Sequence, residues 1–431
     1  MVVSGRLVAA SALLAACVAF VLPSWLGVAL ACAVLAALAG ADMAALPRPG
    51  DLTFSRPALT TVRLGRSTEV ELTVTNTGER TVRGLLWDDW PDSTGAGHRA
   101  RRLDLAPNTM IRLRTTLTPR HRGDRAAGPV TVRVFGPLGM AGRQFRRPVR
   151  AVVRALPAFR SERLLSSKVR RLQHLEGRNV ASIRGQGSEF DSYREYVAGD
   201  DVRSIDWRAT ARAADVMVRT WRPERNRHVL MVLDTGRVSA GRVGAGTRLD
   251  VAVEAALLLG GLAAAAGDTV DLLAYDRRVR AEVRGARGAR LQPQLMHAMA
   301  GIVPTLTDTD CAGLVRAVLE RARRRCLVVL FTGLDAAVVE ENLLPVLPVL
   351  AHRHRVLVVS VTDPDLAAAA AGRDGFAQLC LAAAAETAVA ERELVRESLR
   401  RSGIAVVAAA PDRVPGALAD EYLELKRSGS L

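Results

Sequence analysis

The hydrophobic pattern changes character four times along the chain. Leu7 to Leu22 and Trp25 to Ala41 are uncharged apolar runs separated by Pro23-Ser24, each close to the length needed to cross a bilayer, so residues 1–46 predict a tight hairpin of two transmembrane helices. From Leu59 to Thr77 the period becomes two, with Val70, Leu72 and Val74 alternating against Glu69, Glu71, Thr73 and Thr75. Further strand-like runs at Val82–Leu86, Met110–Leu117, Pro129–Phe135 and Pro148–Ala155 are separated by Pro, Gly and Asn, which predicts a small antiparallel β-sandwich over residues 51–157. After Pro157 the chain turns basic and helical through Leu164–Leu175.

From His228 onward apolar strands and helices alternate. Strands are expected at His228–Asp234, Thr269–Tyr275, Cys326–Thr332, Arg355–Val361 and Ile404–Ala409. Helices are expected at Leu249–Ala266, around Leu291–Gly301 and Ala312–Arg324, at Ala337–Leu350 and at Glu386–Ser402. Such alternation predicts a mainly parallel sheet covered on both faces, a Rossmann-type α/β domain over residues 228–431. Ligands gather at the carboxyl ends of such strands, which puts Asp234, Thr332 and Asp363 on one edge. The fold class expected is therefore multidomain: membrane hairpin, β-sandwich, a basic helix with a charged segment over residues 158–227, and the α/β domain.

Charge sets the orientation of the hairpin. The turn at Pro23-Ser24 carries none, whereas Arg6 precedes the pair and Arg48, Arg56, Arg63 and Arg66 follow it, so both flanks belong in the cytoplasm. A multi-pass protein of the cell membrane with cytoplasmic soluble domains is expected, Trp25 serving as an interfacial anchor. The competing reading, a signal peptide cleaved near Ala31-Cys32-Ala33, conflicts with an apolar character that runs well past the usual signal core. The net charge of +16 suggests nucleic acid, but only Lys168 and Lys426 are lysines, arginines are spread over every segment, and aromatic residues make up 4%, so the stacking surfaces of a nucleic-acid binder are missing. Solvated faces and attraction to anionic headgroups are the simpler use of that charge. Of five cysteines, Cys17 and Cys32 lie in the apolar runs, and Cys311, Cys326 and Cys380 have no metal-like spacing, so they are expected reduced and buried.

Chemistry concentrates between Gly185 and Arg212, GQGSEFDSYREYVAGDDVRSIDWRATAR. Glu189, Asp191, Glu195, Asp200, Asp201 and Asp206 interleave with Arg194, Arg203, Arg208 and Arg212, giving each carboxylate a guanidinium within reach. Gly199 supplies a turn before Asp200-Asp201, and Tyr196 and Trp207 are able to bury their rings while keeping a polar tip bonded. Two readings stand side by side, a recognition surface and a structural clasp. The division expected is Arg194, Glu195, Tyr196, Asp200, Asp201 and Arg203 binding a partner, with Asp206 and Trp207 structural. A metal-dependent hydrolase using Asp200, Asp201 and Asp206 lacks any nearby His ligand. No catalytic residue, cofactor or metal ligand is nominated.

The run REYVAGDDVRSIDWRATAR resembles the signature of the family called domain of unknown function 58, in which Arg-Glu-Tyr, Gly-Asp-Asp, an Arg and Ile-Asp-Trp follow in this order. Gly136-Pro137-Leu138-Gly139-Met140 is similar to that family's Asp-Pro-Phe-Gly-Leu turn with its Asp replaced, and Val361-Thr362-Asp363-Pro364-Asp365-Leu366 to its late strand-turn element. The resemblance implies a membrane protein with a von Willebrand factor type A-like domain and partners that include MoxR-type AAA+ ATPases and, in some members, transglutaminase-like membrane proteins. A working metal site of that domain type would need Asp-x-Ser-x-Ser. Here Asp234-Thr235-Gly236-Arg237-Val238 lacks both serines and adds a cation, leaving Thr307, Thr309 and Asp335 as the remaining oxygen donors. The expectation is a membrane-anchored scaffold or adaptor for protein partners, with no enzyme activity and no nucleic-acid ligand.

Overall fold

A carboxylate at the end of an apolar helix ties that helix to a sheet in the first part of the chain. The computed structural model describes residues 2–21, 23–97, 100–182, 189–213, 215–222, 227–244 and 246–429, the side chains of residues 2–3, 176–182, 189–191 and 220–222 excepted. Two compact units result, Met1–Leu156 and Pro157–Leu431.

In the first unit, β1 (Val2–Val3) leads into α1 (Gly5–Val21), and α2 (Trp25–Ala44) follows, its N-terminus capped by the Ser24 side chain. Helix α2 is long and apolar enough to cross a membrane, and α1 is apolar but shorter at 17 residues. The β strands are β2 (Leu52–Ser55), β3 (Leu59–Arg63), β4 (Thr68–Asn76), β5 (Val82–Trp87), β6 (Ala100–Leu105), β7 (Met110–Leu117), β8 (Gly123–Ala126), β9 (Val130–Phe135), β10 (Ala141–Arg147) and β11 (Val152–Leu156). They form sheets ordered β1-β10-β9-β5-β6, β2-β4-β7 and β3-β11-β8. Alternation decides which side of each strand is buried. Val82, Leu86, Val130, Val132 and Val134 of the first sheet meet Leu52, Leu72 and Val74 of the second in one core. One pairing departs from the antiparallel expectation, since β11 runs parallel to β3.

Asp42, in the last turn of α2, is 1% exposed. A carboxylate there opposes the helix dipole. It is held by three backbone amides of the β9–β10 turn, Leu138 at 2.8 Å, Met140 at 2.7 Å and Ala141 at 2.8 Å. A Cβ at Gly136 would lie 2.1 Å from Asp42 Oδ1. The side chain missing from the Gly-Pro-Leu-Gly-Met turn is therefore the space that Asp42 occupies. On the same turn, Ser4 Oγ donates to the Gly139 carbonyl at 2.5 Å and Arg6 to that of Leu138 at 3.2 Å.

The second unit begins with α3 (Glu162–Ser182), followed by β12 (Glu189–Glu195), α4 (Trp207–Thr210) and β13 (Met217–Arg222), which carry the charged segment. Next come β14 (His228–Asp234), the short ladder β15 (Arg242–Val243) with β16 (Gly246–Thr247), α5 (Arg248–Ala265), β17 (Thr269–Tyr275), β18 (Val279–Ala286), α6 (Leu291–Ala300), α7 (Cys311–Arg321) and β19 (Leu327–Phe331). The chain ends through α8 (Ala336–Val338), a π-helical turn at Val339–Leu343, α9 (Leu347–Arg353), β20 (Arg355–Val361), α10 (Pro364–Ala371), α11 (Phe376–Arg401), β21 (Ala405–Ala409) and α12 (Val414–Arg427). The sheet order is β18-β17-β14-β19-β20-β21, parallel throughout except for the antiparallel edge strand β18. Leu230 and Val232 of β14 point to α7, α9 and α11, while Met231 faces α5 on the other side. Helix α5 starts on a capping box in which Thr247 Oγ1 accepts the Asp250 amide and the Asp250 carboxylate accepts the Thr247 amide. Helix α3 lies along α5 and α12, with Lys168 and Arg171 both bonded to Asp420.

Several elements differ from the periodicity reading. The helix expected at Ala337–Leu350 is broken by the π-helical turn before Pro348, and α11 begins ten residues earlier than expected. The strands β1, β2, β6, β8, β10, β12, β13, β15, β16 and β18 and the helices α4, α10 and α12 are additional. Cys311 and Cys326 are buried, and burial pushes their thiols up to about 11 and about 12, so they stay protonated. Cys380, by contrast, is exposed on α11.

Replacing Asp42 by Ala strands three amides at a buried turn, and each such loss costs about 1–3 kcal/mol. Asp42→Ala is expected to lower the melting temperature of the detergent-solubilised chain, and Asp42→Asn, which keeps one acceptor oxygen, to lower it less.

Candidate functional site

The charged segment folds as a hairpin in which Tyr193, Arg219 and two backbone amides converge on one carboxylate. Residues 185–188 and the side chains of Glu189 and Asp191 lie outside the described residues. Strand β12 pairs antiparallel with β13, setting Tyr193 opposite Arg219 and Arg194 opposite Val218. Between them Asp206 is 6% exposed. Its Oδ1 accepts the amides of Arg208 at 2.9 Å and Ala209 at 3.1 Å, capping the single turn of α4. Its Oδ2 accepts Tyr193 Oη at 3.1 Å and Arg219 Nε at 2.6 Å. The Asp206 backbone closes the loop, its amide donating to the Met217 carbonyl and its own carbonyl accepting Thr210 Oγ1. The Arg219 guanidinium, with the Ala209 and Arg208 amides and Tyr193, draws the Asp206 carboxyl down to about 2.

The loop before Asp206 carries a second pair. Arg194 makes a two-pronged contact with Asp200 at 2.7 and 2.5 Å, and Asp200 also accepts the Val197 amide at 3.0 Å. Gly199 has φ +110°, a conformation L side chains rarely adopt. Asp201 is exposed and accepts the Arg203 amide, starting a 3₁₀ turn at Val202–Ser204. Glu195, Tyr196 and Arg203 are exposed as well. Arg194 and Asp200, placed in the partner-binding set, are thus bonded to each other, and Asp200 is half-buried. Asp206 sits at the structural centre, but its guanidinium partner is Arg219, beyond the run of interleaved charges that ends at Arg212. Trp207 is a correction. Its ring, expected to enter a core, is 68% exposed, because α4 is one turn long and capped on Asp206, so the first side chain after the cap points out.

The carboxyl edge of the parallel sheet forms a second polar centre. The strand order reverses at β14, which places Asp234 at the crevice between β17 and β19. Asp234 is buried; Thr332 Oγ1 donates to its Oδ2 at 2.7 Å, while Thr309 Oγ1 and the Gly236 amide donate to its Oδ1. Ser239 Oγ donates to the Asp234 carbonyl. Arg237 turns aside to Asp308, and Asp335 pairs with Arg248 and Arg392 rather than with this centre. Thr307 bonds Thr305, and Asp363 caps α10. A Cβ at Gly236 would lie 2.2 Å from Thr309 Oγ1, so the glycine is what lets Thr309 reach the carboxylate. Among the described residues no three His, Cys, Asp or Glu side chains gather as a metal-ligand group.

Comparison with known proteins gives one family and a set of unassigned relatives. Residues 192–408, just over half of the chain, match the family described as "Protein of unknown function DUF58". An uncharacterized protein of Mycobacterium tuberculosis strain H37Rv is 28% identical over 192 residues, which cover 44% of this chain and 60% of that protein; one from Mycobacterium bovis matches equally. The chain thus spans about 60% of the length of these curated relatives. Among solved structures, a protein of unknown function from Porphyromonas gingivalis W83 is similar at 19% identity over 26% of this chain and 50% of that one, with a TM-score of 0.19. A FixG-related protein from Vibrio parahaemolyticus gives 10% identity, 24% and 94% coverage, and a TM-score of 0.16.

Two outcomes follow from this geometry. Because the folded Asp206 carboxyl titrates at about 2, below its ordinary 3.8, its contribution to stability is complete above pH 4 and is lost as pH falls toward 2. Trp207 fluorescence is expected to report loosening of the hairpin in that window, and Asp206→Asn to loosen it already at neutral pH. At the sheet edge, Gly236→Ala forces Thr309 off Asp234 and is expected to destabilise the second unit by about 1–3 kcal/mol, read from chemical denaturation.

Proposed function

The chain belongs to the DUF58 family, and from that membership we propose that it is a membrane-anchored adaptor without enzymatic activity, whose hairpin around Asp206 docks a protein partner. The observation that carries this reading is the division of that hairpin. Its hydrogen bonds are spent inward on Asp206, while Trp207, Val197, Val202, Tyr193 and Tyr196 remain exposed among Glu195, Asp201 and Arg203. A rigid turn that displays aromatic and aliphatic groups inside a polar rim has the makeup of an interface hot spot. The partner class implied by the family resemblance is a MoxR-type AAA+ ATPase, with a transglutaminase-like membrane protein as a further candidate. On this reading Trp207 moves from the structural set to the docking set.

Anchoring uses α1 and α2 as a hairpin, with the arginines on both flanks keeping the soluble part in the cytoplasm. The sheet order, with its antiparallel edge strand and a polar centre at the switch point, supports a von Willebrand factor type A-like architecture for the α/β domain. At that centre hydroxyl hydrogens from Thr309 and Thr332 take the places on Asp234 that a divalent cation would use, which favours a role in holding loops over a role in binding metal.

The test is capture of a purified MoxR-type ATPase by the full chain in detergent. Trp207→Ala and Asp201→Arg are expected to weaken capture at least about tenfold while leaving the melting temperature within a degree or so, because the side chains are exposed. Asp206→Ala is expected to lower both. If Trp207→Ala and Asp201→Arg bind like the parent chain, the docking assignment fails.

A further inference from the structure

The sheet β1-β10-β9-β5-β6 has one face in the core and one outside. Its register lays the outward residues in three cross-strand rows: Gly142, Phe135, Arg83, Asp104; then Gln144, Arg133, Leu85, Arg102; then Arg146, Thr131, Trp87, Ala100. Four arginines thus share this face with Trp87 and Phe135, and Asp104 is the single carboxylate on the three rows. Asp104 pairs with Arg83 at 3.5 Å, both side chains being about two-thirds exposed or more (72% and 67%). The Arg133 guanidinium stacks 5.2 Å from the Trp87 ring centre and bonds Gln144. Arg102 and Arg146 are exposed.

The same sheet is tied twice to the apolar helices. Its edge strand β1 pairs with β10 and runs within two residues into α1. The β9–β10 turn is gripped by Asp42 at the end of α2. At a rise of about 3.3 Å per residue, the three rows fall within roughly 20 Å of that turn, and the first row and Arg133 within about a Debye length along the strand. Guanidinium groups bind phosphate oxygens in a fork, and Trp and Phe favour the headgroup level.

We propose that this arginine and aromatic sheet face is a binding surface for the phosphate headgroups of anionic lipids in the membrane that holds the chain. The inference rests on the anchoring reading above. Anchoring raises the local concentration of headgroups, so contacts that are individually weak become occupied. Because several arginines act together, the contact is salt-sensitive.

The experiment uses the full chain in lipid nanodiscs, with Cys17, Cys32 and Cys380 changed to Ser and Thr131→Cys placed at the face as a target for a water-soluble maleimide. Labelling is expected to be about fivefold slower in discs with about 30% phosphatidylglycerol than in phosphatidylcholine discs, and to recover in about 0.5 M salt. Adding Arg102→Glu with Arg133→Glu is expected to abolish the protection. The equal charge change Arg112→Glu with Arg114→Glu, on β7 of the other sheet, is expected to preserve it. Equal rates in both lipids, loss of protection in both double variants, or protection by an added oligonucleotide in phosphatidylcholine discs with none from phosphatidylglycerol would each overturn the proposal. Release of the chain from the bilayer by alkaline carbonate overturns the anchoring and this surface with it, whereas retention with equal rates overturns the surface alone.

Discussion

A carboxylate removed from water has to be given donors, and this chain uses that requirement to hold its irregular segments. Asp42 collects three amides of the β9–β10 turn; Asp88 collects Arg56, the Trp90 indole and Thr115; Asp206 collects two amides, Tyr193 and Arg219; Asp234 collects Thr309, Thr332 and the Gly236 amide. In each case a single buried side chain gathers donors from at least one other segment, from 13 residues away at Asp206 to 99 at Asp42. The sheets and helices bury apolar area, and carboxylates such as these, Asp268 with Tyr422 and Lys426 among them, tie together the segments that connect and cover them.

The consequence for function is a separation of roles within short stretches of chain. Around Asp206 the polar groups that look equivalent in sequence divide into those that hold the turn and those that remain free to face outward. The aromatic residues Tyr193, Tyr196 and Trp207 are exposed around it, Tyr193 with its hydroxyl bonded to Asp206.

Arginine shows the same division. Arg56 is buried against Asp88, Arg154 forms a two-pronged pair with Asp124, and Arg219 completes the Asp206 centre. On the outward sheet rows Arg83 meets Asp104 at the exposed surface and Arg133 bonds Gln144, while Arg102 and Arg146 are exposed. A net charge of +16 averages over these fates, and the functional content lies in which guanidinium groups the fold leaves facing solvent.

The sequence by itself determined what local periodicity encodes: the apolar runs, the half-buried strands such as β4, the alternation of β14, α5, β17, β19 and β20, and the concentration of chemistry before Arg212. Strands β10 and β18 were hidden because AGRQFRR and VRAEVRGA carry charges that are tolerable only where one side of a strand faces water, and that depends on the neighbour it pairs with. The tertiary structure alone decided that Asp206 bonds Arg219, that Thr309 reaches Asp234 across the space left at Gly236, and that Asp42 fills the place of a side chain 94 residues further on, at Gly136. Periodicity is a property of neighbours along the chain, whereas a buried carboxylate is satisfied by whatever donors the folded backbone brings within 3 Å, and no spacing in the sequence records that distance.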